Sequence, residues 1–101
     1  MQIDASRKAG AKIIELHTGE YANARSDAAV RKERGILKKA VKHALSLGLE
    51  VNAGHGLNYE NVRDIACING MNELNIGHSI ISRAVFVGIS VAVKEMLELV
   101  Q

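Results

Sequence analysis

The chain contains 101 residues, 48% of them apolar and 24% charged, and its formal net charge at pH 7 is +2. The length predicts one small globular domain or part of one, because a typical domain holds about 100–200 residues. The basic residues are scattered along predicted helices without interleaved aromatic residues, which argues against a nucleic-acid partner.

Targeting and redox features favour a cytoplasmic protein. The first 15 residues mix acidic and basic side chains, whereas a signal peptide would need an apolar core. The longest uncharged apolar stretch, 84–93, has about half the length of a membrane-spanning helix, so no membrane partner is expected. The single cysteine, Cys67, excludes an intrachain disulfide, and its place late in a predicted helix indicates a buried small apolar residue.

In the first half of the chain, hydrophobic periodicity predicts a helix, a strand and a second helix. The first helix, 3–9, ends at Gly10, and the β-branched segment 11–17 is a buried strand. A polar loop, TGEYANAR, then leads to Ser26, the expected N-cap of a long helix that ends at Gly48. The buried face of that helix is predicted to carry Val30, Leu37, Val41, Ala44 and Leu45.

The second half of the chain continues the alternation of strands and helices. The pattern predicts a strand at 49–53, a shorter helix at 58–67 that is capped by Asn58, and a third strand at 73–77. Two further helices, 78–86 and 90–100, are predicted on either side of Gly88. Strands separated by helices run parallel, because each crossover returns the chain to the same end of the sheet. The fold class is therefore α/β.

Side-chain alternation divides the predicted strands into an apolar face and a polar face. The apolar face carries Ile14, Leu16, Leu49, Val51, Ala53, Leu74 and Ile76, and the polar face carries Glu15, His17, Glu50, Asn52, Glu73 and Asn75. This pattern favours part of a (β/α)₈ barrel, which turns one face of its sheet inward, over a doubly wound sheet, which is apolar on both faces. Glu15, Asn52 and Glu73 would then meet partners on strands outside this chain. Carboxylates simply solvated at the strand ends are the alternative.

Three histidines follow the predicted strands at the points where the strands end. His17, His55 and His78 stand in the segments LHTG, AGHG and NIGH. The carboxyl ends of parallel strands share one edge of a sheet, and such folds place their active sites there. The glycines let the backbone approach an anion, and a helix N-terminus adds partial positive charge. The segments therefore predict a phosphate-binding site with imidazoles suited to proton transfer.

Other interpretations of these residues stay open. A loop histidine is commonly an ordinary polar surface residue, and His43, inside the long helix, is interpreted in that way. Three imidazoles would suit zinc, although no HxH or HxxxH spacing imposes the necessary geometry. Cys67 is a weaker candidate nucleophile, because a reactive thiolate needs a partly exposed, electropositive setting.

The segments ELHTGEYA, LGLEVNAGHGLNYENV and NELNIGHSIISRAVFVG resemble the C-terminal portion of the pyridoxine 5′-phosphate synthase family. The resemblance extends over essentially the whole chain in one register. It implies a TIM barrel and a transferase-type condensation of 3-amino-2-oxopropyl phosphate with 1-deoxy-D-xylulose 5-phosphate in vitamin B6 biosynthesis. The products are pyridoxine 5′-phosphate, phosphate and water, and the resemblance implies no metal and no organic cofactor.

The resemblance also implies roles for residues that match the family's motifs. His55 corresponds to a catalytic proton donor, and Gly56, Gly77 and His78 correspond to residues that contact the aminoketone phosphate. Glu15, His17 and Asn52 are expected to support the site from the polar face of the sheet.

The family's chains are more than twice as long, and their first half supplies further acid/base residues. We therefore expect residues 1–101 to be a partial TIM-barrel domain, a truncated or fragmentary copy that is inactive alone. The family implies a homo-oligomer. The alternative function is a non-catalytic half-barrel that binds phosphate or associates with itself.

Overall fold

The computed structural model describes residues 2–101, which form three parallel strands alternating with helices. The helices are α1 (Gln2–Lys8), α2 (Gly19–Asn23), α3 (Asp27–Ser46), α4 (Val62–Ala66), α5 (His78–Val87) and α6 (Ile89–Val100). The strands are β1 (Ile13–His17), β2 (Glu50–Gly54) and β3 (Met71–Asn75). The predicted α/β class with a parallel sheet is confirmed. None of the described helices combines the length and the apolar character needed to cross a bilayer.

The sheet has the strand order β1-β2-β3. His17 lies beside Gly54, and Gly54 lies beside Asn75, so the last residues of all three strands are in register. This register brings the three loops that leave the strands to one edge of the sheet. We call it the carboxyl edge.

One face of the sheet carries the hydrophobic core. Val51 and Ala53 of β2 are fully buried, and the core around them is completed by helices α2, α3, α4 and α6. The helical members are Tyr21, Leu37, Val41, Ala44, Val62, Ile65 and Met96. Ile14, Leu16, Leu74 and Ile76 pack against this cluster, as their alternation along the strands predicted.

The opposite face of the sheet is polar, and its side chains bond to one another. The Asn75 amide donates to Oε1 of Glu15 at 2.6 Å, and the Asn52 amide donates to Oε2 of Glu73 at 3.2 Å. Asn72 in turn donates to Oδ1 of Asn52 at 3.2 Å. The expectation that Glu15, Asn52 and Glu73 depend on strands outside this chain is therefore wrong, because cross-strand neighbours supply their hydrogen bonds.

The long helix begins as predicted, since Oγ of Ser26 accepts a hydrogen bond from the Ala29 amide at 3.1 Å. The segment predicted as a polar loop contains α2, whose Tyr21 is buried in the core. Strand β3 begins at Met71 rather than at residue 73, because Met71 pairs with Val51 ahead of an irregularity in the register.

Three further expectations require correction. Leu45 is 43% exposed rather than buried with the other apolar residues of α3. Cys67 is exposed, because it follows the last turn of α4 on the solvent side. Asn58 does not cap α4, which begins four residues later. Its Oδ1 accepts from the amides of Glu60 and Asn61 and so closes a turn before the helix.

Candidate functional site

A cavity of ≈ 690 Å³ opens at the carboxyl edge of the sheet. Its walls come from β1, from the loop between β2 and α4, and from the segment between β3 and α5. The lining residues are Glu15, His17, Gly54, His55, Gly56, Leu57, Asn58, Asn75, Ile76, Gly77, His78 and Ser79. Six of the seven residues predicted for the site line this cavity, and the exception is Asn52, which bonds to Glu73 and Asn72.

The loop after β2 brings His55 to the cavity through an unusual backbone. His55 has a φ of +94°, and Gly56 continues the loop with a φ of +76°. A Cβ on Gly56 would lie 2.6 Å from Cβ of Ala22, so both conformation and packing require glycine there. The consequence is a tight loop that leaves the imidazole of His55 exposed at the cavity.

The loop after β1 contacts His55 from the neighbouring strand. The rings of His17 and His55 are stacked, with centroids 4.3 Å apart and planes inclined by 26°. Thr18, whose side chain is buried, donates its hydroxyl hydrogen to the His55 carbonyl at 2.6 Å. Sequence reasoning did not single out Thr18, and the available signal was its position directly after a strand end, in LHTG.

The third wall of the cavity is the beginning of α5. Gly77 is its N-cap residue, and a Cβ there would have no atom within 4 Å. Ser79 donates its hydroxyl hydrogen to the Leu57 carbonyl at 2.8 Å, which ties this helix to the loop after β2. The first amides of a helix have no carbonyl partner inside the helix and carry partial positive charge, so this end of α5 suits an anion.

Glu15 lines the cavity beside Gly54. A Cβ on Gly54 would lie 3.0 Å from Oε1 of Glu15 and 3.0 Å from the Asn75 carbonyl oxygen. Glycine at this position therefore allows Glu15 of β1 to reach Asn75 of β3 across the intervening strand. The bond from Asn75 fixes the carboxylate of Glu15, which lines the same cavity as His17 and His55.

The three histidines of the carboxyl edge are not grouped as metal ligands in the part of the chain that the structure describes. Within residues 2–101, no group of three or more histidine, cysteine, aspartate and glutamate side chains is arranged to hold a metal ion. In addition, Nδ1 of His17 accepts a hydrogen bond from the Gly19 amide at 3.2 Å. The zinc alternative therefore has no geometric support in the described part of the chain.

Two surface side-chain contacts join pairs of helices and lower the pKa of the carboxyl group in each. The hydrogen bond from His43 at 2.9 Å lowers the pKa of Asp4, which ties α1 to α3. The bidentate contact of Arg83 with Glu95 lowers the pKa of that glutamate and joins α5 to α6. His43 thus has a structural partner on α1, in keeping with its interpretation as a surface residue.

The fold and the cavity define an α/β protein with imidazoles and free helix amides gathered at the carboxyl edge of a parallel sheet. The sequence profile of the pyridoxal phosphate biosynthesis protein PdxJ matches residues 1–101. The chain therefore belongs to the PdxJ family.

Several relatives, each named pyridoxine 5′-phosphate synthase, are similar to nearly the whole chain. The protein from Gloeothece citriformis is 62% identical over 95 residues, or 94% of this chain. The proteins from Coxiella burnetii and Blochmanniella floridana are 56% and 53% identical over 98% and 99% of it. The matched region is 40% of the Gloeothece and Blochmanniella proteins and 41% of the Coxiella protein, so the chain spans about two fifths of these relatives.

Proposed function

We propose that the complete protein to which this chain contributes is a pyridoxine 5′-phosphate synthase. It condenses 3-amino-2-oxopropyl phosphate with 1-deoxy-D-xylulose 5-phosphate and releases pyridoxine 5′-phosphate, phosphate and water, without a metal or organic cofactor. Membership of the PdxJ family supports this proposal, as does the name that the similar proteins share. The observation that carries it is the shared cavity of His55, Gly56, Gly77 and His78 at the carboxyl edge.

Residues 1–101 form, in this proposal, the C-terminal portion of a (β/α)₈ barrel. The core and the helices that complete it lie on one face of the sheet, and the polar face would line the barrel interior. Within residues 2–101, β1 and β3 each pair with β2 on one side only, so both outer edges are available to strands from the rest of the protein.

His55 acts in this proposal as the proton donor of ring closure. Imine formation and loss of water both require proton delivery near neutral pH, for which an imidazole is suited. Gly56, Gly77 and His78 hold the phosphate of the aminoketone, because the N-terminal amides of α5 face an open glycine position. Glu15 and His17 support the site from within the cavity, and Asn52 supports it through the hydrogen-bonded polar face.

A second candidate is a non-catalytic half-barrel that binds phosphate or associates with itself. The apolar side chains exposed on α5 and α6, including Phe86 at 84% exposure, favour association. Homo-oligomer formation is compatible with both candidates. They differ in catalysis, so the deciding test is turnover.

The test replaces His55 by asparagine in a full-length chimera, in which this chain substitutes for the matching 95 residues of the Gloeothece citriformis protein. We expect turnover to fall by about 10²–10⁴-fold with little change in substrate binding, the usual result of losing a general acid. His43→Asn is the matched control, because His43 lies on α3 and bonds to Asp4. Unchanged turnover in His55→Asn would contradict the assigned role, and a parental chimera without synthase activity would favour the non-catalytic candidate.

A further inference from the structure

His55 has a backbone conformation that is unfavourable for a residue with a Cβ and that its surroundings must stabilise. It is the one non-glycine residue among residues 2–101 with a positive φ, at +94°. Residues with a Cβ avoid this region because the Cβ crowds the neighbouring peptide groups. A residue kept in such a conformation relaxes unless its surroundings fix both flanking peptide planes.

Thr18 bonds to both of those peptide planes. Its amide donates to the Gly54 carbonyl at 2.9 Å, and its hydroxyl donates to the His55 carbonyl at 2.6 Å. The Gly54 carbonyl belongs to the peptide plane before the His55 Cα, and the His55 carbonyl belongs to the plane after it. Thr18, directly after β1, therefore restrains both φ and ψ of His55, directly after β2.

The hydroxyl of Thr18 does not make the helix-capping hydrogen bond that its position suggests. Thr18 is the N-cap residue of α2, where a threonine side chain ordinarily accepts from an amide of the first turn. Here the side chain makes no capping bond and donates to His55 instead. It is also the one fully buried polar side chain that the structure describes, so water does not replace a lost bond easily.

His17 restrains the imidazole ring of His55 rather than its backbone. The two rings stack with centroids 4.3 Å apart, and the Gly19 amide fixes the orientation of His17 through its Nδ1. A Cβ on Gly19 would lie 2.5 Å from Cε1 of His17 and 3.2 Å from Cδ2 of His55. Glycine at position 19 is therefore the residue that leaves room for the stacked pair.

We propose that Thr18 and His17 are positioning residues that hold His55 in the geometry required for proton delivery. Thr18 sets the backbone of His55, and His17 sets the plane of its ring. The inference rests on the proposed function, because it concerns how the assigned proton donor is oriented. It extends that function by assigning a task to Thr18 and a specific one to His17.

The first experiment measures steady-state kinetics of Thr18→Val in the full-length chimera. Valine keeps the branched shape and removes the donor, so kcat should fall by about tenfold while both KM values change little. Thr18→Ser keeps the hydroxyl and should restore most of the lost turnover. Tyr59→Phe is the matched control, since it removes a 2.7 Å hydroxyl bond to the Ala92 carbonyl outside the cavity. Equal losses of turnover in Thr18→Val and Tyr59→Phe would overturn the proposal.

A double substitution separates positioning from a general loss of structure. If Thr18 acts through His55, Thr18→Val should leave the residual turnover of His55→Asn unchanged, because the positioned group is already absent. The same fold-loss in both backgrounds would show that Thr18 acts elsewhere. Unchanged turnover in His55→Asn alone would contradict the proposed function. A large loss of turnover in His55→Asn together with unchanged turnover in Thr18→Val would contradict only the positioning proposal.

A third experiment substitutes His17 and leaves the buried hydroxyl of Thr18 in place, so it remains informative if Thr18→Val does not fold. His17→Phe keeps an aromatic ring against His55, whereas His17→Ala removes it. We expect His17→Ala to lower kcat several-fold more than His17→Phe. Equal losses would mean that the nitrogens of His17, rather than its ring face, matter to turnover, and would overturn its role as a stacking partner.

Discussion

Two glycines at the carboxyl edge are glycine for different physical reasons. Gly56 has a φ of +76°, and an added Cβ would meet Ala22 at 2.6 Å, so the chain itself requires glycine there. Gly77 has a φ of −135°, and an added Cβ would meet no protein atom within 4 Å. The space beside Gly77 is open in the described part of the chain, so the two positions can be separated by experiment.

Gly77→Ala should weaken binding of 3-amino-2-oxopropyl phosphate without destabilising the protein. The methyl group would project into the space proposed for the phosphate, so we expect KM for this substrate to rise roughly tenfold, or ~1.4 kcal/mol of binding. KM for 1-deoxy-D-xylulose 5-phosphate should rise less. The measurement is a pair of substrate titrations on the full-length chimera, together with its thermal unfolding.

Gly56→Ala is the matched control for that substitution. Its Cβ would enter both a disfavoured backbone region and an occupied space, so it should lower the unfolding free energy by about 1–3 kcal/mol. If Gly77→Ala acted mainly on the other substrate, the two phosphates would have to be exchanged between their assigned positions. A loss of stability equal to that of Gly56→Ala would remove the ligand explanation altogether.

Most of the cavity could be located from the sequence, but Thr18, whose hydroxyl bonds to the His55 carbonyl, could not. His17, His55 and His78 converge because parallel strands end at one edge, which alternation alone predicts. Asn52 is in register with Glu15, yet it does not line the cavity and bonds to Glu73 and Asn72 instead. Thr18 could not be assigned, since its bond to His55 depends on the register between β1 and β2, which is a long-range property.

At the level of elements, the long amphipathic helix was predictable and the short polar one was not. Helix α3 has 20 residues with a clear apolar face and a serine cap, whereas α2 has five residues and begins with a glycine. A helix this short has too few residues for periodicity to be visible and is stabilised by tertiary contacts. Those contacts centre on Tyr21, which is 4% exposed.

Tyr21 links α2 to the loop that carries the cavity. Its hydroxyl donates to the Asn61 carbonyl at 2.6 Å, and the Asn61 amide group donates to the Gly56 carbonyl at 3.2 Å. Burial raises the pKa of Tyr21, and the carboxylate of Asp64 raises it further. A phenol must stay protonated to donate this bond, so the link depends on pH.

Alkaline pH should weaken the protein through Tyr21. Because the folded-state pKa lies above the unfolded value, its contribution is fully present below the unfolded pKa, about pH 10, and is lost as pH rises through the folded pKa. Chemical unfolding of the full-length chimera at a series of pH values should show this loss. Tyr21→Phe should be less stable by about 1 kcal/mol at neutral pH and should lack the Tyr21 component above pH 10. Parallel pH profiles for the two proteins would contradict this assignment.

At the scale of the whole chain, apolar side chains of α5 are left exposed, whereas the polar side chains of the sheet bond to one another. The polar face is internally bonded through Glu15, Asn75, Asn52 and Glu73. In contrast, α5 contributes no residue to the buried core, and its Ile81, Val85 and Phe86 are 61%, 78% and 84% exposed. The radius of gyration is 14.4 Å, against about 13 Å for a compact domain of this length. The chain therefore exposes apolar side chains of α5 in addition to the hydrogen-bonded polar face of its sheet.

The isolated 101-residue chain should consequently associate or remain partly disordered, and it should show no synthase activity. Exposed apolar side chains on α5 and α6 adjoin a sheet with two outer strand edges, and both features promote contact between chains. The free energy of unfolding of a typical domain is only about 5–15 kcal/mol. The apolar surface that stays in water contributes nothing to it, and the contribution lost in this way is a substantial part of that total. Light scattering and a phosphate-release assay on the purified chain check the two parts separately. A monodisperse, cooperatively unfolding monomer would refute the argument from exposed surface. Turnover with both substrates would show that the cavity of His55, Gly56, Gly77 and His78 is sufficient for the proposed chemistry without the remaining three fifths of the relatives' length.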